Sequence, residues 1–73
     1  MKLQIPAESI RIREQLFGYL LANYDCKIIK DSSDIEVERT LVFSAPFDNY
    51  LQQAIKQHDI NFFYIDNGYI GIH

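Results

Sequence analysis

Few side chains in this sequence could do chemistry. Cys26 is the lone cysteine, accompanied by the histidines His58 and His73. A thiol nucleophile needs a base within hydrogen-bond reach to generate thiolate, so Cys26 with His58 is the only pairing that suggests covalent catalysis. Nothing in the spacing makes the two meet. Cys26 opens an extended run, where a free thiol ordinarily behaves as a small core hydrophobe. His58 falls in the last turn of a helix, where a partial positive charge suits the free carbonyls. A metal centre would have to draw on Cys26, His58, His73 and scattered carboxylates, yet no C-x-x-C, H-x-x-x-H or Asp-rich ligand spacing occurs. Gly18, Gly68 and Gly71 write neither a P-loop nor a dinucleotide fingerprint. The expectation is no catalytic residue, no cofactor, no metal and no small-molecule substrate.

Two other groupings suit recognition. The runs Ile60 to Asp66 and Tyr69 to His73 flank Asn67-Gly68, the pair that a type I′ hairpin turn favours because both central residues need positive φ. With Asp66 opposite Tyr69, Ile65 lies across from Ile70 and Phe63 across from Ile72, an apolar set suited to packing under helices. The second face then holds Ile60, Phe62, Tyr64, Tyr69 and His73. A half-buried antiparallel sheet should be polar there, so Phe62, Tyr64, Tyr69 and His73 are the candidate interaction surface. The alternative is that another layer of the same chain covers them. The acids Asp31, Asp34, Glu36 and Glu38 form a second candidate, a negative patch for a basic partner, against the simpler reading of a solvated hairpin tip.

The elements that would position these groups follow from periodicity. Lys2 to Ile5 alternates and is cut off by Pro6, which suits a helix start. Apolar residues from Ile10 to Tyr24 recur at helical spacing and predict one helix over about 7–24. Cys26 to Lys30 and Ile35 to Phe43, separated by Asp31-Ser32-Ser33-Asp34, read as an antiparallel hairpin with Ile28 opposite Val37 and Lys27 opposite Glu38. Ser44 is the expected N-cap of a second helix that carries Phe47, Tyr50, Leu51, Ala54 and Ile55 and ends near His58. The expected fold is α+β: a single antiparallel sheet of about four strands, with a short fifth at the N-terminus if Lys2 to Ile5 pairs, and two α-helices, in the order (β)αββαββ, all in one domain over residues 1–73.

Composition bounds the rest. The 73 residues are 48% hydrophobic and 23% charged, enough apolar content to fold but only one small core. The net charge of −3 and the dispersal of Lys2, Arg11, Arg13, Lys27, Lys30, Arg39 and Lys56 weigh against a nucleic-acid partner. A single cysteine points to a reducing, cytoplasmic compartment. Neither a leader pattern nor a run of about 18 apolar residues is visible, so no membrane association is expected. Chains this short act mainly through their surfaces. The expected function is a non-catalytic protein-protein interaction module, a small intracellular regulator or inhibitor of the antitoxin, immunity or phage anti-defence type. Its expected partner is another protein or a second copy of itself. A nucleic-acid-binding regulator and a small enzyme or enzyme subunit are the alternatives.

Overall fold

In the computed structural model, which describes residues 1–45, 47–66 and 69–72 and gives 66 and 69–72 as strand backbone, the N-terminal segment is an interior strand of the sheet. The elements are β1 (Lys2–Pro6), α1 (Ala7–Ile12), α2 (Glu14–Asn23), β2 (Asp25–Ile29), a 3₁₀ turn (Ser32–Asp34), β3 (Thr40–Ser44), α3 (Asn49–His58), β4 (Phe62–Asp66) and β5 (Tyr69–Ile72). They form a five-stranded sheet in the order β2-β1-β3-β4-β5. The first four strands in that order are mutually parallel, and only β5 runs antiparallel, against β4.

The antiparallel sheet with two helices expected from sequence is therefore incorrect. The class is α/β, with three α-helices around a mainly parallel sheet. The expected hairpin of Cys26 to Lys30 with Ile35 to Phe43 does not form. Instead β2 and β3 lie on either side of β1, with Leu3 opposite Cys26 and Gln4 opposite both Lys27 and Leu41. Parallel neighbours need crossover connections, and residues 7–24, 30–39 and 45–61 supply them. Ile35 and Val37 belong to the second crossover. Gln4 holds it in place: its Nε2 donates to the carbonyls of Glu36 (2.7 Å) and Arg39 (2.9 Å), and its Oε1 accepts from the Glu36 amide at 2.9 Å. With its backbone groups committed to a side chain, this segment cannot offer them to a ladder.

The helices also depart from expectation. The long first helix is broken at Arg13, whose φ of −129° and ψ of 63° separate α1 from α2. Arg13 Nε donates to Ser44 Oγ at 3.1 Å, and the Ser44 amide donates to Ser9 Oγ at 2.9 Å, so the break joins the first helical segment to the end of β3. Ser44 is thus the last residue of β3. The N-cap of α3 is Asp48, and the helix ends at His58 as its pattern indicates. The β4–β5 pairing follows the sequence register: Asp66 opposite Tyr69, Ile65 opposite Ile70, Phe63 opposite Ile72. Asn67 and Gly68 lie outside the described residues.

Strand alternation sends side chains into two cores. Ile29, Leu41, Phe43, Leu51, Ala54 and Ile60 pack on the α3 side. Leu3, Ile5, Phe17, Val42 and Ile65 pack on the α2 side. Such two-sided burial is what a parallel sheet requires. It arises because the β1–β2 and β3–β4 crossovers step outward in opposite directions, so connections of one hand place their helices on opposite faces.

Candidate functional site

Each face of the sheet carries an apolar cleft. On the α3 face, Phe43 sits at the centre of an aromatic group. Its ring centroid is 4.8 Å from Phe47, 5.2 Å from Tyr64 and 5.9 Å from Phe62. Parallel pairing of β3 with β4 creates this group by setting Leu41 beside Phe62 and Phe43 beside Tyr64. Phe43 is fully buried, Phe62 and Tyr64 are half-buried, and Phe47 is 42% exposed. The four rings line a cleft of about 510 Å³. In β5 the position paired with Tyr64 is Gly71. Tilted aromatic contacts at these separations are favourable beyond their buried area, so the cleft is pre-formed.

The candidate interaction surface read from sequence is thereby placed in part. Phe62 and Tyr64 do share a face, and they are neither sealed in the core nor fully open. Phe43 and Phe47 are their companions, which the sequence reading missed. Strand alternation puts Phe43 on the face of Leu41, and the parallel β3–β4 ladder brings it to Tyr64. The side chain of Tyr69 and all of His73 lie outside the described residues.

The acidic group does not occupy a hairpin tip. Asp31 and Asp34 cap the 3₁₀ turn reciprocally: Asp31 Oδ1 accepts from the Ser33 amide at 2.9 Å, and Asp34 Oδ2 accepts from the Asp31 amide at 3.3 Å and from the Lys30 amide at 2.8 Å. The Ser33 hydroxyl and amide hold the Asp31 carboxyl below its usual range. Glu36 is paired with Lys27 (3.1 Å) and Arg39 (3.2 Å), which lower its pKa, Lys27 foremost. Glu38 is exposed in the turn before β3. Asp31, Asp34 and Asp48 all bear on Tyr50, whose phenol is pushed up first by burial and then by these charges.

The residues weighed for catalysis are kept apart. Cys26 packs on the α2 face, where its Sγ donates to the Leu20 carbonyl at 3.2 Å, and burial with the nearby Asp25 charge raises its pKa. A thiol so placed is a poor nucleophile. His58 is exposed at the end of α3, the helix of the other face. Among the described residues no group of three metal-ligating side chains converges, and no helix is long and apolar enough to cross a membrane.

On the α2 face, Met1, Leu3, Leu16, Leu20, Tyr24, Val42, Phe63 and Ile65 line a groove of about 380 Å³. Val42 and Ile65 at its floor are buried in one core with Phe17 of α2, while Met1, Leu16 and Tyr24 at its rim are exposed.

What the fold and clefts define is a class: a small α/β sandwich with an apolar cleft on each face of its sheet. Compared with known proteins, the chain matches no family model, no curated sequence and no solved structure.

Proposed function

We propose that this chain is a non-catalytic protein-binding module of the regulator or inhibitor kind, and that its aromatic cleft takes an apolar side chain from the partner protein. The observation that carries this reading is the exposed Phe47 ring held against buried Phe43, with half-buried Phe62 and Tyr64 completing the cleft. Rigid aromatic walls bind apolar groups at little entropic cost, and such residues dominate the energetics of protein interfaces.

Charge supports protein over nucleic acid. Arg39 is tied to Asp25, Glu36 and the Leu3 carbonyl, Lys27 to Glu36, and Arg11 to Glu8. Cations engaged with their own carboxylates contribute little to phosphate neutralisation.

The test is affinity capture from the source cell with wild-type protein and Phe47→Ser. The expected result is a protein retained by the wild type and depleted at least about tenfold by the variant, a loss of roughly 1.4 kcal/mol, with the amide fingerprint of the variant unchanged. Equal retention by both, or none by either, would overturn the reading.

A further inference from the structure

The rows of residues that cross β3, β4 and β5 end differently on the two faces of the sheet. On the α2 face, Val42, Phe63 and Ile72 stand in one row and Ser44, Ile65 and Ile70 in the next, so an isoleucine holds the β5 position of each. On the α3 face the row is Phe43, Tyr64 and Gly71. It runs from a fully buried ring through a half-buried ring to a residue with no side chain. Phe47 rests on the Phe43 end of this row, so the aromatic cleft reaches the sheet edge at Gly71. Glycine inside a strand weakens it and marks a place where another group approaches closely.

β5 is also the end of the sheet, and the two ends are built differently. β2, DCKII, carries Asp25 and Lys27, which pair with Arg39 and Glu36. Charged side chains of this kind discourage the addition of further strands. β5, YIGI, has none. Only two residues separate Asp66 from Tyr69, so these form the hydrogen-bonded closing pair of the hairpin. Alternation along an antiparallel ladder then directs the N–H and C=O groups of Ile70 and Ile72 away from β4. Among the described residues no strand receives them.

We propose that β5 receives an extended segment of the partner protein as a sixth strand, and that the residue of this segment beside Gly71 is large and apolar and continues the Phe43–Tyr64 row into the cleft. This strand addition rests on the protein-binding reading of the aromatic cleft and adds the form of the segment that enters it. Residues paired across a ladder share a face, so a side chain beside Gly71 projects on the side of Tyr64. Neighbouring strands lie about 4.8 Å apart, which puts the added strand roughly 10 Å from β4. Leu, Met or an aromatic residue spans that gap over Gly71 and meets the Tyr64 ring, whereas Ala or Ser stops short.

The occupant follows from what the edge and the cleft ask for together. Outward backbone groups along β5 are answered by an extended backbone, not by a helix, whose own N–H and C=O groups are already used. Main-chain bonds of this kind supply affinity for many sequences, and a pocket for one side chain supplies selectivity. Two copies of this chain joined by their β5 edges would share only a four-residue ladder, well short of the roughly ten hydrogen bonds of a typical interface. A partner segment adds the cleft of about 510 Å³ to that ladder.

Random peptides displayed on phage and selected against the wild-type chain supply the probe. The expected binders alternate and carry one large apolar residue. Added to the labelled chain, the best of them should slow hydrogen exchange at the Ile70 and Ile72 amides and shift the Tyr64 ring. Gly71→Val fills the row with a strand-favouring side chain and should weaken that peptide at least about tenfold with an unchanged circular dichroism spectrum. Ile72→Pro, which removes one outward N–H and leaves the bonds to β4, should act in the same direction. A selection without binders, a peptide that binds as a helix, or one that binds with Ile70 and Ile72 exchange unchanged would overturn the inference. Protection of those two amides in a concentrated sample without peptide would also overturn it, by assigning the edge to a second copy. A peptide weakened by Phe47→Ser and indifferent to Gly71→Val would keep the cleft as a binding site and remove the added strand.

Discussion

α2 and α3 have the same length and flank the same sheet, yet their outer sides differ. α3 turns Leu51 and Ala54 inward and glutamines and lysine outward, and the 3₁₀ turn with the segment pinned by Gln4 covers the sheet beyond it. α2 buries Phe17 in one core with Val42 and Ile65 and leaves Leu16 and Tyr19 exposed beside Gln15. The lesson is one of scale. A chain of this size covers both faces of its sheet, but it does so with some large apolar side chains still open to solvent.

The comparison can be broken first in the cores. Leu51→Ala, under α3, should cost about 3 kcal/mol, and Phe17→Ala, under α2, about 4 kcal/mol, both from cavities at fully buried sites. Urea denaturation reads both.

A smaller effect sharpens the account of the α3 face. Gln4→Leu keeps the volume of a fully buried side chain but strands the Glu36 amide and the carbonyls of Glu36 and Arg39. The expected loss is about 2 to 3 kcal/mol by urea denaturation, since each buried polar group without a partner costs about 1 kcal/mol or more.

The mildest effect is on pH dependence. Lys27 and then Arg39 hold the Glu36 pKa below its unfolded value. Its contribution to stability is therefore complete above the ordinary glutamate range and is lost as pH falls through the lowered folded value. Asp31 behaves in the same sense through Ser33. Melting temperature should be flat above that range and fall below it, and Glu36→Gln should make the fall shallower.

Where sequence reading succeeded, local chemistry sufficed. The β4–β5 register is the one read from the two apolar runs flanking Asn67-Gly68, residues that themselves lie outside the described ones, and the apolar stripe of α3 ends at His58. It failed where the information is not local. Alternation in Ile35 to Phe43 is the same for a strand and for a crossover whose backbone is bonded by Gln4, a residue from the other end of the chain. Five residues ending in Pro6 read as a marginal strand, yet β1 has neighbours on both sides, and that placement alone turns the sheet from antiparallel to parallel. The aromatic cleft was half visible for the same reason: Phe62 and Tyr64 are close in sequence, whereas Phe43 joins them only through strand order.

The account turns on the aromatic cleft of the α3 face, and the ring resonances of Phe47, Phe62 and Tyr64, followed while the captured partner protein is added, measure its use directly. Shifts at these rings, with the resonances of α2 unmoved, are the predicted result. A partner that binds and leaves these rings in place would contradict it.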